Sequence, residues 1–324
     1  IMNYEYIQKS VLKDLEQVNK LIKSSLKSNI LLIEEVSKHI VGAPSKRIRP
    51  LLVIIIGKML RIPNKKIYQL ALIIELIHTA TLLHDDVVDI SEKRRGKKSA
   101  NKIWGNEASV LVGDYLYSRS FQMMVKLGDK KIFSILADAT NQIAKGEVMQ
   151  LMNVGKLNTT LDQYMKVINY KTATLFEAST RSSAILAKKN EKNINKFGDY
   201  GKHLGLAFQI SDDILDFTAK NSNQIGKNIG DDLEGGKITL PIIYGYKFSN
   251  SSDKKNIKRI LKSKSKASFN ELKDILIKTG AIDMSIKKAN YHATFARKSI
   301  SYLKHDNYKD LLLKLAYFSI SRKK

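Results

Sequence analysis

The chain has 324 residues, 43% of them hydrophobic, with 4 Pro, no Cys and a formal net charge of +25. That length supports a large core, and the lack of Cys excludes disulfides and thiolate metal sites. The charge comes from 56 basic residues scattered along the chain, and no motif interleaves arginines with aromatics. Nucleic acid is therefore not the expected partner: the charge reads first as a solvated surface and second as attraction to an anionic membrane, and a positive field would also draw in anionic substrates.

Apolar residues recur at helical spacing over 11–40, 68–90, 107–127, 131–152, 161–188, 194–217, 237–247, 254–263 and 269–280. The leucine-bearing segment Tyr308 to Arg322 has the same pattern. Breaks fall at Gly42-Ala43-Pro44, Ile62-Pro63-Asn64, Ser91 to Asn101, Gly155 to Asn158 and Ala219 to Lys237. Residues 246–268 are polar and read as a surface connection around a short helix. No series of alternating strands is visible. The amphipathic N-terminus does not resemble a signal peptide. The longest apolar run, Leu70 to Leu83, is interrupted by Glu75 and His78 and falls short of the roughly 20 residues of a membrane span. The expectation is an all-α fold in a single domain, 1–324, in the cytoplasm.

Ser45-Lys46-Arg47-Ile48-Arg49-Pro50 packs cations just before an apolar helix predicted over Leu51 to Leu60. A helix N-terminus favours anions, and a solvated basic loop is the alternative. Next comes Asp85-Asp86-Val87-Val88-Asp89 on an apolar helix. Residues four apart lie one above the other, so Asp85 and Asp89 share a stripe that continues back to His78. Clustered carboxylates repel unless cations sit between them, and carboxylate oxygens suit Mg²⁺. Arg94 and Arg95 follow directly, with the fork-shaped donors that match phosphate oxygens; Lys97 and Lys98 read as solvated. The pattern returns as Asp212-Asp213-Ile214-Leu215-Asp216, with Gln209 on its stripe. Gly226-Lys227 and Gly235-Gly236-Lys237 come next, mobile turns whose lysines can close over phosphate. One such acidic motif is a weak signal. Two on apolar helices, one followed by a double arginine and the other by Gly-Lys, point to a metal-bridged diphosphate between two helices.

These segments resemble the trans-isoprenyl diphosphate synthases, the polyprenyl synthetase family, from about Gly42 through Ile243. The likeness rests on Lys46 to Pro50, Leu82 to Gly96, Tyr170-Lys171-Thr172-Ala173, Phe208 to Asp216, and Gly226 to Pro241. One departure is Pro44-Ser45, where Gly-Gly usually stands. The resemblance implies a bundle of long helices around a central active-site cavity, and a homodimer. It implies three Mg²⁺ ions bound with substrate by Asp85, Asp89 and Asp212, supported by Asp86, Asp213 and Asp216. Arg94, Lys171, Lys227 and Lys237 would bind the allylic diphosphate, with Thr172 and Gln209 near its reacting carbon. Lys46, Arg49, His78 and Arg95 would hold isopentenyl diphosphate.

In this family, product length depends on residues four and five positions before the first aspartate, here Thr81 and Ala80, both small. Phe121, Met123 and Met124 on a neighbouring helix are candidates for the tunnel floor, though ordinary core positions by themselves. At about 5 Å per isoprene unit, an eight-unit product needs a tunnel of about 40 Å. The expectation is an all-trans product near that length, as for a ubiquinone side chain, with transient membrane contact. A terpene cyclase would lack the second Asp-rich motif and the basic motif. A farnesyl or geranylgeranyl diphosphate synthase would carry a bulky residue at Ala80 or Thr81. A regulatory subunit would lack the acidic motifs.

Overall fold

The computed structural model describes residues 4–43, 45–219 and 228–321. In chain order, α1 (Tyr4–Ser10), α2 (Leu12–Ser25), α3 (Leu31–Gly42) and α4 (Ile48–Met59) lead into the long α5 (Asn64–Val88). A two-residue hairpin, β1 (Lys93–Arg94) and β2 (Lys97–Lys98), precedes α6 (Ala100–Trp104), α7 (Asn106–Leu127), α8 (Lys130–Asn153) and α9 (Leu161–Ile168). A π-helical turn, Asn169–Ala173, joins α9 to α10 (Thr174–Leu186) without interruption, and α11 (Glu191–Thr218) follows. The remainder is α12 (Asp231–Glu234), α13 (Leu240–Phe248), α14 (Ser251–Ser263), α15 (Phe269–Lys278), α16 (Ala281–Ser299) and α17 (Asn307–Phe318).

The fold is all-α, and three details differ from the pattern reading. The 11–40 stretch is two helices: the first ends at Ser25, and in the connection to the second the Ser28 hydroxyl accepts the Ile30 amide at 3.1 Å. α4 begins at Ile48, which brings Arg49 into its first turn, where Pro50 is tolerated because its missing N–H has no intrahelical role there. α16 gives no large-residue signal, since its buried face is mostly Ala281, Ser285, Ala289, Ala293 and Ala296. Small residues let it lie close along α11.

The core has two apolar clusters. The first is built on α4, α5, α7 and α10, and α4 is buried at every position from Pro50 to Gly57, as a helix apolar all round must be. The second gathers α13, α14 and α15. α11 serves both, through Phe197, Tyr200 and Leu204 in one and Ile210, Ile214 and Phe217 in the other. It thereby carries the second acidic motif along the seam. α5 spans 25 residues and is apolar enough to cross a membrane by length and composition, more than the run Leu70 to Leu83 suggested. Yet 67% of its apolar window is buried inside the bundle, and it is a core helix.

Candidate active site

The first acidic motif sits at the C-terminal end of α5, and its three aspartates have three different environments. Asp86 is fully buried; one of its oxygens takes both Nε (2.8 Å) and Nη2 (2.5 Å) of Arg94. Its backbone carbonyl also accepts from Asn101 at 3.1 Å. Asp86 is thus the anchor that holds the β1–β2 hairpin and aims Arg94. Burial pushes its carboxyl upward, with Arg94 opposing. Asp85 and Asp89 face the site. Lys237 donates to Asp89 at 2.7 Å, and Lys171 lies 3.7 Å from Asp85 and 2.7 Å from Glu147. Burial alone would raise Asp89, but Lys237, Lys171 and Arg94 together hold it below the usual carboxylate range. Glu147 goes the other way: burial and then Asp85 push it up to about 7, despite Lys171.

Lys171 owes its place to the π turn, an irregularity often found at functional sites. The turn lies against two glycines. A Cβ on Gly146 of α8 would stand 2.6 Å from the Lys171 amide nitrogen, and one on Gly205 of α11 would stand 2.7 Å from the Ala173 Cα. Adjacent residues of the turn serve opposite sides of the site. Lys171 reaches the first acidic motif, while the Thr172 hydroxyl donates to Gln209 at 2.7 Å on the second. The Gln209 amide donates to Asp213 at 2.9 Å, and the Tyr164 phenol donates to the other Asp213 oxygen at 2.6 Å. Asp213 and Asp216 are buried; Asp212 is half-buried. Among the described residues, no group of three or more His, Asp or Glu side chains could hold a metal ion alone. Lys227 lies outside the described residues.

A second pocket is built from cations. Arg47, Arg49, Arg94 and Arg95 all act electrostatically on His78, whose imidazole is held well below its usual value by burial first and these arginines second. Glu75, buried in α5, pairs with Arg47, which also donates to the Val41 carbonyl at 2.8 Å. Arg47 therefore braces the pocket. Burial brings Arg49 and Arg95 down to about 10, with Glu75 partly offsetting it in each. The Arg49 guanidinium stacks over Phe176, 4.4 Å from the ring centroid, and its Nε has no partner. Arg47 and Arg95 both adopt left-handed backbone (φ 50 and 53), a strain that functional loops commonly carry. Lys46 sits at the rim: its Nζ lies 5.2 Å from the Phe318 ring centroid, and its carbonyl accepts from Tyr4. Two buried acids, Glu75 and Asp86, among these four arginines still leave a surplus of positive charge that suits a polyanion.

Ala80 is fully buried and Thr81 half-buried, one turn before Asp85. On α7, Met124 is buried and Met123 partly so, whereas Phe121 is 37% exposed and stacks on Tyr117 at 6.4 Å. Met124, rather than Phe121, occupies the inward position. Tyr117 sits nearer the acids: burial first, then Asp85 and Glu147, raises its phenol above its usual value.

The polyprenyl synthetase family model matches residues 31–278. The chain belongs to this family. It is 41% identical to the octaprenyl diphosphate synthase of Haemophilus influenzae over 323 residues, 99% of this chain and 98% of that protein. It is 39% identical to the octaprenyl diphosphate synthase of Escherichia coli strain K12, over 99% of each. Its structure matches the polyprenyl synthase of Caulobacter crescentus CB15, complexed with calcium and isoprenyl diphosphate, at a TM-score of 0.95 with 36% identity and 98% of both chains covered. The fold is that of the all-α isoprenoid synthases, and this polyprenyl synthetase is a prenyltransferase.

Sequence reasoning missed Glu147, Glu75, Tyr164 and Tyr117 in this site. Two of them had a signal. Glu147 continues the buried stripe of Ile132, Leu136, Ala139 and Ile143 on α8, and Glu75 interrupts the buried run of α5. A charge in such a place demands a buried partner.

Proposed function

We propose that this polyprenyl synthetase condenses isopentenyl diphosphate with an allylic diphosphate, repeatedly, and releases an all-trans product of about eight isoprene units, as for a quinone side chain. One observation carries the reading: a single π turn ties Lys171 to the first acidic motif and Thr172, through Gln209, to the second. The surplus-positive arginine pocket, facing the same His78-to-Asp89 helix, supplies the second diphosphate site.

The donor set fits divalent metal. Two lysine amines rest on carboxylates of the first motif, which is where a harder cation has most to gain. Asp85, Asp89 and Asp212 would hold Mg²⁺, three ions together with substrate, with Asp213 and Asp216 supporting. The metal supplies charge stabilisation for the departing diphosphate. The chain's own residues do the rest. Lys171, Lys237, Arg94 and Lys227 hold the allylic diphosphate, with Arg94 kept in place by Asp86. Thr172 and Gln209, fixed to one another and to Asp213, line the reacting carbon. Arg49, Arg95 and His78, with Lys46 at the rim, hold isopentenyl diphosphate so that its alkene meets the allylic cation before water does. A neutral His78 donates a hydrogen bond without competing with the arginines for the phosphate charge.

The lengthening chain passes Ala80 and Thr81, whose small side chains favour a long product over the farnesyl or geranylgeranyl alternative. Leu111 and Val125 on α7, with Val148, Leu151 and Met152 on α8, are exposed apolar residues and support burial in a homodimer. The enzyme works in the cytoplasm with transient contact to a membrane that takes up its product. The test is Ala80→Phe, assayed with farnesyl diphosphate and labelled isopentenyl diphosphate, products separated by length. The parent should yield a product of about eight units and the variant a shorter one; the same long product from both refutes the tunnel argument.

A further inference from the structure

α16 bears a stripe that the chemistry above does not use. Lys288, Tyr291, Phe295 and Lys298 recur at three- and four-residue spacing on one face, and Tyr302 follows on the turn just beyond. Tyr291, Phe295 and Tyr302 are 55%, 40% and 38% exposed. These rings are nonetheless held firmly. Phe295 stacks on His203 of α11 with centroids 4.2 Å apart, and Tyr291 meets the edge of His292 at 5.2 Å. Beneath them, the Nδ1 atoms of His203 and His292 share a hydrogen bond of 2.9 Å that ties α16 to α11. Amines flank the rings: Lys288 Nζ lies 5.4 Å from the Tyr291 centroid and Lys196 Nζ 3.9 Å from that of Tyr302. A hollow of about 230 Å³ opens between Asn290, Tyr291, Thr294, Phe295 and Lys298. The only acid on α16 is Asp283, against Lys287, Lys288, Arg297 and Lys298.

We propose that this face of α16 is where the protein docks on an anionic phospholipid surface. The inference deepens the membrane contact proposed above by giving it a place. Half-exposed rings of Tyr and Phe with lysines beside them match the interface of a bilayer, where the ring body sits among acyl carbons and the amine meets phosphate. From Lys287 to Lys298, beyond the single acid Asp283, the charge of the helix is complementary to an anionic headgroup layer. The rings alone would suit a protein partner as well; the lysines beside them tip the balance to phosphate, because lysine is depleted from the centre of protein interfaces. The histidine pair and the stacked rings mean that the anchors are preorganised, so docking orders few side chains.

The test is co-sedimentation of the full chain with vesicles of phosphatidylcholine, with and without phosphatidylglycerol. One variant reverses charge at the face (Lys288→Glu with Lys298→Glu); another removes the rings and keeps the charge (Tyr291→Ser with Phe295→Ser). A control makes the same charge change on exposed α14 positions, Lys255→Glu with Lys262→Glu. The parent should bind anionic vesicles and not neutral ones. Each face variant should lose about tenfold or more in affinity, and the control much less. Turnover of a soluble primer without vesicles should be unchanged in all of them. No binding by the parent overturns both the membrane contact and the face. Equal loss in control and face variants shows general charge attraction and overturns the face alone. Lys288 and Lys298 make no ion pair among the described residues, so their reversal breaks no salt bridge and keeps the test decisive if the ring variant misfolds.

Discussion

Gly146→Ala probes whether the π turn is positioned by backbone contact. The added Cβ would stand 2.6 Å from the Lys171 nitrogen, 3.0 Å from the Tyr170 Cβ and 3.1 Å from the Lys171 Cα, whereas ordinary contact begins at 3.4 Å. The turn cannot simply retreat, because Ala173 on its far side is already against Gly205. Relief must come from moving Lys171, which changes its 2.7 Å contact with Glu147 and its 3.7 Å approach to Asp85. In a helix Ala is favoured over Gly by about 1 kcal/mol, and overpacking costs about 1–3 kcal/mol, so the net stability loss should not exceed about 2 kcal/mol. A misplacement approaching 1 Å can cost about 10²-fold in rate. Steady-state kinetics with both substrates, beside urea unfolding, should show a folded protein with kcat down by about that factor. Combined with Lys171→Met, the second change should add little, since both act through the same amine. Parental kcat in Gly146→Ala, or fully additive losses, would refute the argument.

Glu75→Gln should leave Arg47 buried without its counter-charge, at a cost of about 3–5 kcal/mol by urea unfolding; an unchanged midpoint would show that the pair does not brace the arginine pocket. The His203–His292 pair should make stability pH-dependent. Burial first, then neighbouring charge, lowers the two folded values to about 4 and about 3, from 6.5. The unfolded chain therefore takes up protons that the folded chain refuses. The contribution is complete above 6.5 and is lost as pH falls from there towards 4. Thermal unfolding between neutral pH and pH 5 should fall more steeply for the parent than for His203→Asn, and equal slopes would rule out the pair as the cause.

How much of this was readable from the chain depends on how local each signal is. The acidic motifs were legible because helical spacing alone puts Asp85 and Asp89 on one stripe. The same spacing, taken one residue further, separates Asp86: it points about 100° away from Asp85, into the bundle, where Arg94 meets it. A supporting metal role for Asp86 is implied by the family resemblance and not by this spacing, which puts only Asp85 and Asp89 on the stripe. α16 was missed because a face of alanines and serines reads as neutral, although small residues are what let it approach α11. The π turn leaves no mark in the helical spacing, although Tyr170 to Ala173 resembles a family motif. It exists because Gly146 and Gly205, on helices far apart in the sequence, leave room for backbone on both sides. Glu147 and Glu75 are intermediate cases. Each breaks an apolar stripe, which shows that a buried partner is needed, but only the fold shows that the partners are Lys171 and Arg47. The carboxylates that would bind metal sit on helices whose faces follow from sequence, while, Arg49 apart, most cations that would bind phosphate (Lys171 on the π turn, Arg94 and Arg95 on the hairpin, Lys237 before α13) are placed by tertiary contact. Changes at remote glycines should therefore disturb phosphate binding and leave the acidic clusters in place.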